Sequence, residues 1–168
     1  MSSVQILLVA VSVILGQLEE GSTREHLHDL EYFVGEWKFE GEDDGQKTAG
    51  SMAGEWMHDK NFLLVRGVFE DPDGKKVPFT QIVGWDPSRK QIQSWGFGGF
   101  GGHGQLLWQK DGKTWTIENV KPWVRWDGGT LTGTTLREIV DDNTFRDNST
   151  FKLGDKEIRS TLTATRVP

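Results

Sequence analysis

At 168 residues the chain amounts to one ordinary domain, long enough to bury a core without staples. Its formal net charge of −6, with no long basic run, argues against a nucleic-acid partner, and the absence of cysteine excludes disulfides and thiolate metal sites. Eight tryptophans and nine phenylalanines against one tyrosine must be buried somewhere, which points to a thick core or a lined cavity.

The chain begins "MSSVQILLVAVSVILGQ", an uncharged stretch whose apolar run covers residues 4–15. That run is too short to span a bilayer as a helix and fits the apolar region of a secretory signal peptide. We therefore expect residues 1–16 to be a signal peptide and the protein to be periplasmic or secreted. A cytoplasmic location is expected instead if the same run is a buried element of the fold. Residues 17–34 form the next segment. Within it "STREHLHDLEYFVG" predicts a short amphipathic helix, with Leu27, Leu30 and Val34 on one stripe and Gly35 as its end.

From residue 35 to 168 everything reads as strands. "EWKFEG" alternates, with Trp37 and Phe39 on one face; "AGSMAGEWM" and "NFLLVRGVFE" come next, around a tight "HDK" turn. "DPDGKK" separates these from "VPFTQIVGW", and "DPSRK" leads into "QIQSWGF". "GQLLWQK" and "KTWTIENVK" flank a "DG" hairpin turn, and three further strands complete the chain. Turns this short do not allow parallel crossovers. The pattern predicts an all-β fold, an antiparallel up-and-down barrel of about ten strands preceded by the short helix. A barrel of that size encloses room for a small ligand.

"WGFGGFGGHG", residues 95–104, contains G-x-G-x-x-G at Gly96, Gly98 and Gly101. A dinucleotide site needs a helix after that motif, whereas "QLLWQKDGKTW" is an alternating strand with a hairpin turn. The glycines are better read as a bend that leaves room near one end of a barrel. No cofactor is called for.

Gly35–Trp37 opens the first strand and Arg166 stands near the end of the last. In a closed meander these strands are neighbours, which allows the guanidinium to lie on the indole and close the barrel. The chain here resembles the calycin superfamily of lipocalins and fatty-acid-binding proteins, which share a G-x-W on strand one and a basic residue on the last strand. From about residue 30 onward "FLLVRG", "IVGWDPSRKQIQSWGF", "GGFGGHGQLLWQKDGKTW" and "DGGTLTGTTLREIVDDNTFRD" resemble a group of uncharacterised bacterial lipocalin-like domains. Such domains occur alone or behind a nuclear-transport-factor-like domain. The chain departs from the group where acidic residues usually come after the phenylalanine matching Phe97, and in having His103 near a usual glutamate. The resemblance implies a fold and leaves the activity open.

Two arginines sit on mostly apolar strand faces. Arg66 shares a face with Phe62, Leu64 and Val68, and Arg137 with Leu131 and Ile139. Facing inward they would anchor a ligand's polar end between walls of Trp56, Trp95, Trp108 and Trp115. Otherwise they pair with Glu55, Glu118 or Glu138 inside the protein. His26 and His28 are two apart on a helix and make a poor metal pair, and His58 lies in a turn, so no metal site is expected. His103, in the glycine stretch, is the candidate for a catalytic acid or base. The expected function is binding of a small apolar or amphipathic molecule in the lumen. Arg66, Arg137, Trp56, Trp95 and Trp115 are the binding residues in this reading, and Trp37 and Arg166 the structural closure. The alternatives are an enzyme of isomerase, cyclase or hydrolase type using His103 or Glu55 in the same cavity, or a non-catalytic interaction domain. The sequence carries no handle on oligomeric state.

Overall fold

The computed structural model describes residues 22–70 and 74–168. The expected signal peptide, and the first part of the segment after it, lie outside the described residues. A helix α1 (Ser22–Leu27) runs into a 3-10 turn (His28–Phe33), and eleven strands come after it. They are β1 (Gly35–Asp43), β2 (Gln46–Met57), β3 (Phe62–Glu70), β4 (Lys76–Asp86), β5 (Gln91–Gly98), β6 (His103–Asp111), β7 (Thr114–Asn119), β8 (Trp123–Val124), β9 (Thr130–Asp141), β10 (Thr144–Leu153) and β11 (Lys156–Arg166).

All strand pairs are antiparallel, and β11 returns to β1 with Arg166 opposite Trp37. Ten strands close the ring, with the two-residue β8 as an additional piece. β8 pairs with β6 and β9, the same two neighbours that flank β7. Thus β7 and β8 occupy one place in the barrel, as a single strand interrupted at Val120, Lys121 and Pro122. Five steps separate Glu118 from Trp123, but only three separate their partners Thr134 and Leu131. The surplus of two residues is a bulge, and Pro122, with no N–H to donate, fits the break in the ladder. The backbone N–H of Gly133 finds its acceptor in the Asn119 side chain, at 2.7 Å. Because the surplus is two residues, Trp123 keeps the inward parity of Trp115 and Ile117.

The single helix expected over residues 22–35 is split. Leu27, Leu30 and Phe33 are the buried positions, spaced by three, and a turn of three residues per revolution stacks them on one line. Phe33 takes the core position that regular helical spacing assigns to Val34. These side chains plug one end of the barrel and meet Trp37, Trp108, Trp115 and Phe145 there. The other end carries the β3–β4, β5–β6 and β8–β9 connections, and among the described residues no helix plugs it.

Candidate functional site

The plug is tied to the barrel wall around its circumference. Arg166 donates from Nη1 to the carbonyl of Val34 at 2.6 Å and from Nη2 to that of Tyr32 at 2.7 Å. Its guanidinium carbon lies 4.3 Å from the ring centre of Trp37. Gly35 has φ +109°, and a Cβ there would stand 2.9 Å from Arg166 Nη1, so both backbone and clamp require glycine at this position. His26 stacks on Trp85 of β4, Lys110 of β6 reaches Asp29, and the Tyr32 hydroxyl donates to the carbonyl of Asp141. Trp56 Nε1 donates to Glu31 at 2.8 Å; together with Lys60 this holds the Glu31 carboxyl below its ordinary value. Trp56 therefore serves the plug and is not among the residues that line the cavity.

Above the plug lies a cavity of about 360 Å³, within the range of small-molecule sites. Its floor is Phe33, Phe145 and Trp108. One wall is the chain of rings Phe39, Phe69 and Phe79, whose successive centroids are 5.0 and 4.8 Å apart. Leu106 and Trp123 form the facing wall. The strand period explains the lining: Leu63, Val65 and Phe69 of β3 point inward at every second position, or a multiple of it.

The glycine stretch fits this geometry in a way its composition does not reveal. A Cβ on Gly96 would stand 2.7 Å from the Trp123 ring, one on Gly104 2.5 Å, and one on Gly102 2.9 Å from its Nε1. Three glycines thus form a flat berth on which the indole lies. The room they leave is filled by Trp123, which in turn walls the lumen. Neither Trp123 nor its bulge stands out in the sequence; the one available signal is Pro122 within an otherwise strand-like run.

Arg137 reaches the cavity from β9. Its Nε donates to Asp147 Oδ1 at 2.8 Å and its Nη2 to Oδ2 at 2.7 Å, a bidentate pair between residues directly opposite on β9 and β10. The guanidinium carbon sits 4.4 Å from the Phe145 ring, 5.2 Å from Phe33 and 5.5 Å from Trp108. Its partner is neither Glu118 nor Glu138. Asp147 shares the inward face of β10 with Phe145, an alternation readable in "TFRDN" once that face is known.

The other expected residues lie elsewhere. Arg66 is on the outside of β3, where Nη1 meets Glu55 Oε1 at 3.1 Å with both side chains mostly in solvent. The parity of β3 decides this, since Leu63 and Val65 hold the inward positions, and with it the lumen anchor expected of Arg66 is withdrawn. Trp95 alternates with Ser94 and Gly96 and sits on the outer face, opposite Ile82 and Gln105. Trp115 is fully buried but packs beneath the floor, against Phe33 and Trp108. His103 is exposed at the start of β6, with Nδ1 3.4 Å from the Gly101 carbonyl, and it too is off the lumen. Of the expected ligand contacts and walls, Arg137 and Trp108 line the cavity, and Arg66, Trp56, Trp95 and Trp115 do not. Gln81 was missed: it lines the cavity and donates to Ser94 Oγ, which also accepts from Trp108 Nε1, both at 2.9 Å. Among the described residues no group of three or more metal-binding side chains occurs, and no helix is long and apolar enough to cross a membrane.

Strand order, plug and cavity define the class: a closed antiparallel β-barrel, capped at one end and hollow at the other. No protein-family model matches the chain, and no curated protein matches it. Solved structures that resemble it include a redesigned β-barrel, 16% identical over 82% of this chain and 94% of its own, with a TM-score of 0.48. EF1p2_mFAP2b bound to DFHBI aligns over 82% of this chain and 96% of its own at 13% identity and a TM-score of 0.49. A de novo fluorescence-activating β-barrel aligns over 81% and 95% at 15% identity and 0.46.

Proposed function

We propose that the protein binds a small apolar or amphipathic molecule in the barrel lumen. The observation that carries this reading is the cavity of about 360 Å³, walled by aromatic rings and closed below by the plug. Water held against such walls gains few hydrogen bonds, so an apolar ligand displaces it favourably. The ionisable side chains lining it, among the described residues, are Arg137 and Asp147, each engaged with the other. That favours binding over proton-transfer chemistry, and the exposed positions of His103 and Glu55 give the enzyme reading no support. Within this reading the chain is a calycin-type barrel of the bacterial lipocalin-like kind; its support is the quoted motifs and the Trp37–Arg166 contact. Export rests on the apolar run at residues 4–15 and is tested by finding which fraction of an expressing cell holds the protein, and its N-terminus.

The test of binding is titration with the neutral fluorophore N-phenyl-1-naphthylamine. Saturable enhancement is expected from the native protein, and its loss from Val65→Phe, which adds a ring at a lining position of the lumen. Enhancement that fails to saturate, or that survives Val65→Phe in a folded protein, refutes lumen binding.

A further inference from the structure

We infer that the lumen selects an uncharged ligand, with an apolar body and a hydrogen-bond acceptor at the end that reaches Arg137, and rejects carboxylates and ammonium ions. This rests on the lumen-binding reading above and gives it a substrate class. An arginine in an apolar cavity ordinarily suggests an anion. Here the guanidinium is already neutralised by Asp147, and these two are the charged residues lining the cavity among the described residues.

The pair is fixed in place. Arg137 and Asp147 face each other across adjacent strands, so the β9–β10 register holds their backbones at pairing distance. Three aromatic rings surround the guanidinium within 5.5 Å, and the two side chains are only 16% and 12% exposed. A ligand carboxylate entering this site would leave the cluster with one uncompensated negative charge at low dielectric. An ammonium would leave an uncompensated positive one. Both are costly when desolvated, whereas a neutral group is not.

What the pair still offers is donors. Arg137 uses Nε and Nη2 on Asp147, and no hydrogen bond engages Nη1 among the described residues. No side-chain nitrogen or oxygen among them is sealed without a partner, so Nη1 keeps accessible surface, on a residue that lines the cavity. A hydroxyl, ether or carbonyl oxygen suits that N–H, because it accepts without bringing charge.

The experiment uses the full chain and three competitors of one length at pH 7.5: 1-decanol, decanoate and decylammonium, each displacing N-phenyl-1-naphthylamine. Decanol is expected to displace the probe at a concentration at least about tenfold below either ion. Asp147→Asn keeps the shape and leaves the arginine charge uncompensated. It is expected to strengthen decanoate at least about tenfold, and to leave decylammonium weak. Decanoate matching or beating decanol in the native protein overturns the inference while lumen binding stands. So does a bound probe that decanol fails to displace, or a decanoate affinity unmoved in a folded Asp147→Asn protein. A probe that never binds saturably overturns both readings. If the variant does not fold, the native ordering of the three competitors decides.

Discussion

Replacing Arg166 by Met tests whether the plug is held by the clamp or merely by its own apolar face. Met keeps an unbranched chain against Trp37 and removes the guanidinium. Two hydrogen bonds are lost, at 2.6 and 2.7 Å to the carbonyls of Val34 and Tyr32, together with the contact at 4.3 Å to the Trp37 ring. A bond from a charged donor contributes about 1.5–3 kcal/mol and an exposed cation–π contact about 0.5–1 kcal/mol. The freed carbonyls regain some water at the barrel rim, so the lower part of the range applies, about 3–4 kcal/mol in all. For a chain of this size each kcal/mol shifts the melting temperature by about 2–4 °C, which predicts a fall of about 6–16 °C. Arg166→Lys, which reaches one carbonyl but cannot fork to two, should lose about half as much. Thermal unfolding followed by near-ultraviolet circular dichroism gives the midpoints. Fluorophore titration well below the midpoint adds a second readout, because Phe33 belongs to both plug and cavity floor. A fall of under about 2 °C for Arg166→Met would show that burial of Leu27, Leu30 and Phe33 holds the plug without the clamp.

Gly104→Val puts a side chain where the Trp123 ring now lies. We expect the indole to leave its berth, with at least about fivefold weaker fluorophore binding and a loss of about 1–3 kcal/mol in stability. Unchanged affinity and an unchanged near-ultraviolet spectrum would contradict the berth. Arg66→Ala and His103→Ala alter exposed outer positions, so stability should stay within about 0.5 kcal/mol and lumen affinity within about twofold; a larger drop in affinity for either would place that residue at the ligand. Asp86 accepts from the Ser88 hydroxyl, and from the Ser88 and Arg89 backbone, which hold its carboxyl below the ordinary value of 3.8. A carboxyl lowered on folding stabilises the protein above that ordinary value, and the contribution disappears as pH falls through the still lower folded value. Urea unfolding between pH 5 and 2.5 (about the range in which an aspartate titrates) should therefore show a shallower acid loss for Asp86→Asn than for the native protein. Parallel curves would refute a role for this turn in acid stability.

The barrel was legible because its turns are short and specific. "DPSRK", "DG" and "GD" leave no length for a crossover, and the strands they delimit match the observed ones to within a few residues. The site was less legible because alternation tells which residues share a face and not which face is inward. β3 is apolar on both: Leu63 and Val65 face the lumen, while Leu64 faces out beside Arg66, and nothing within "FLLVRG" separates the two sets. The decision comes from β2, where Met52, Gly54 and Trp56 alternate with Ser51, Ala53 and Glu55, and register then carries it to β3. Arg66 opposes Ala53 on the polar face and so goes outward with it. By the same reasoning Arg137 is inward because it opposes Asp147, which shares a face with the buried Phe145.

The glycine stretch shows why composition alone cannot separate an empty space from an occupied one. A strand without side chains leaves a gap of the same outline whether a ligand, a backbone or another residue is to fill it. Here the filler is Trp123, on a strand interrupted at Pro122, and its ring reaches the glycines only because β8 pairs with β6 after the bulge. The consequence for function is specific. Berth and wall are one structure, so the glycines act on the ligand through the indole. A substitution at Gly104 should therefore change lumen binding together with the tryptophan's environment. Replacement of His103, one residue away but on the outer face, should change neither.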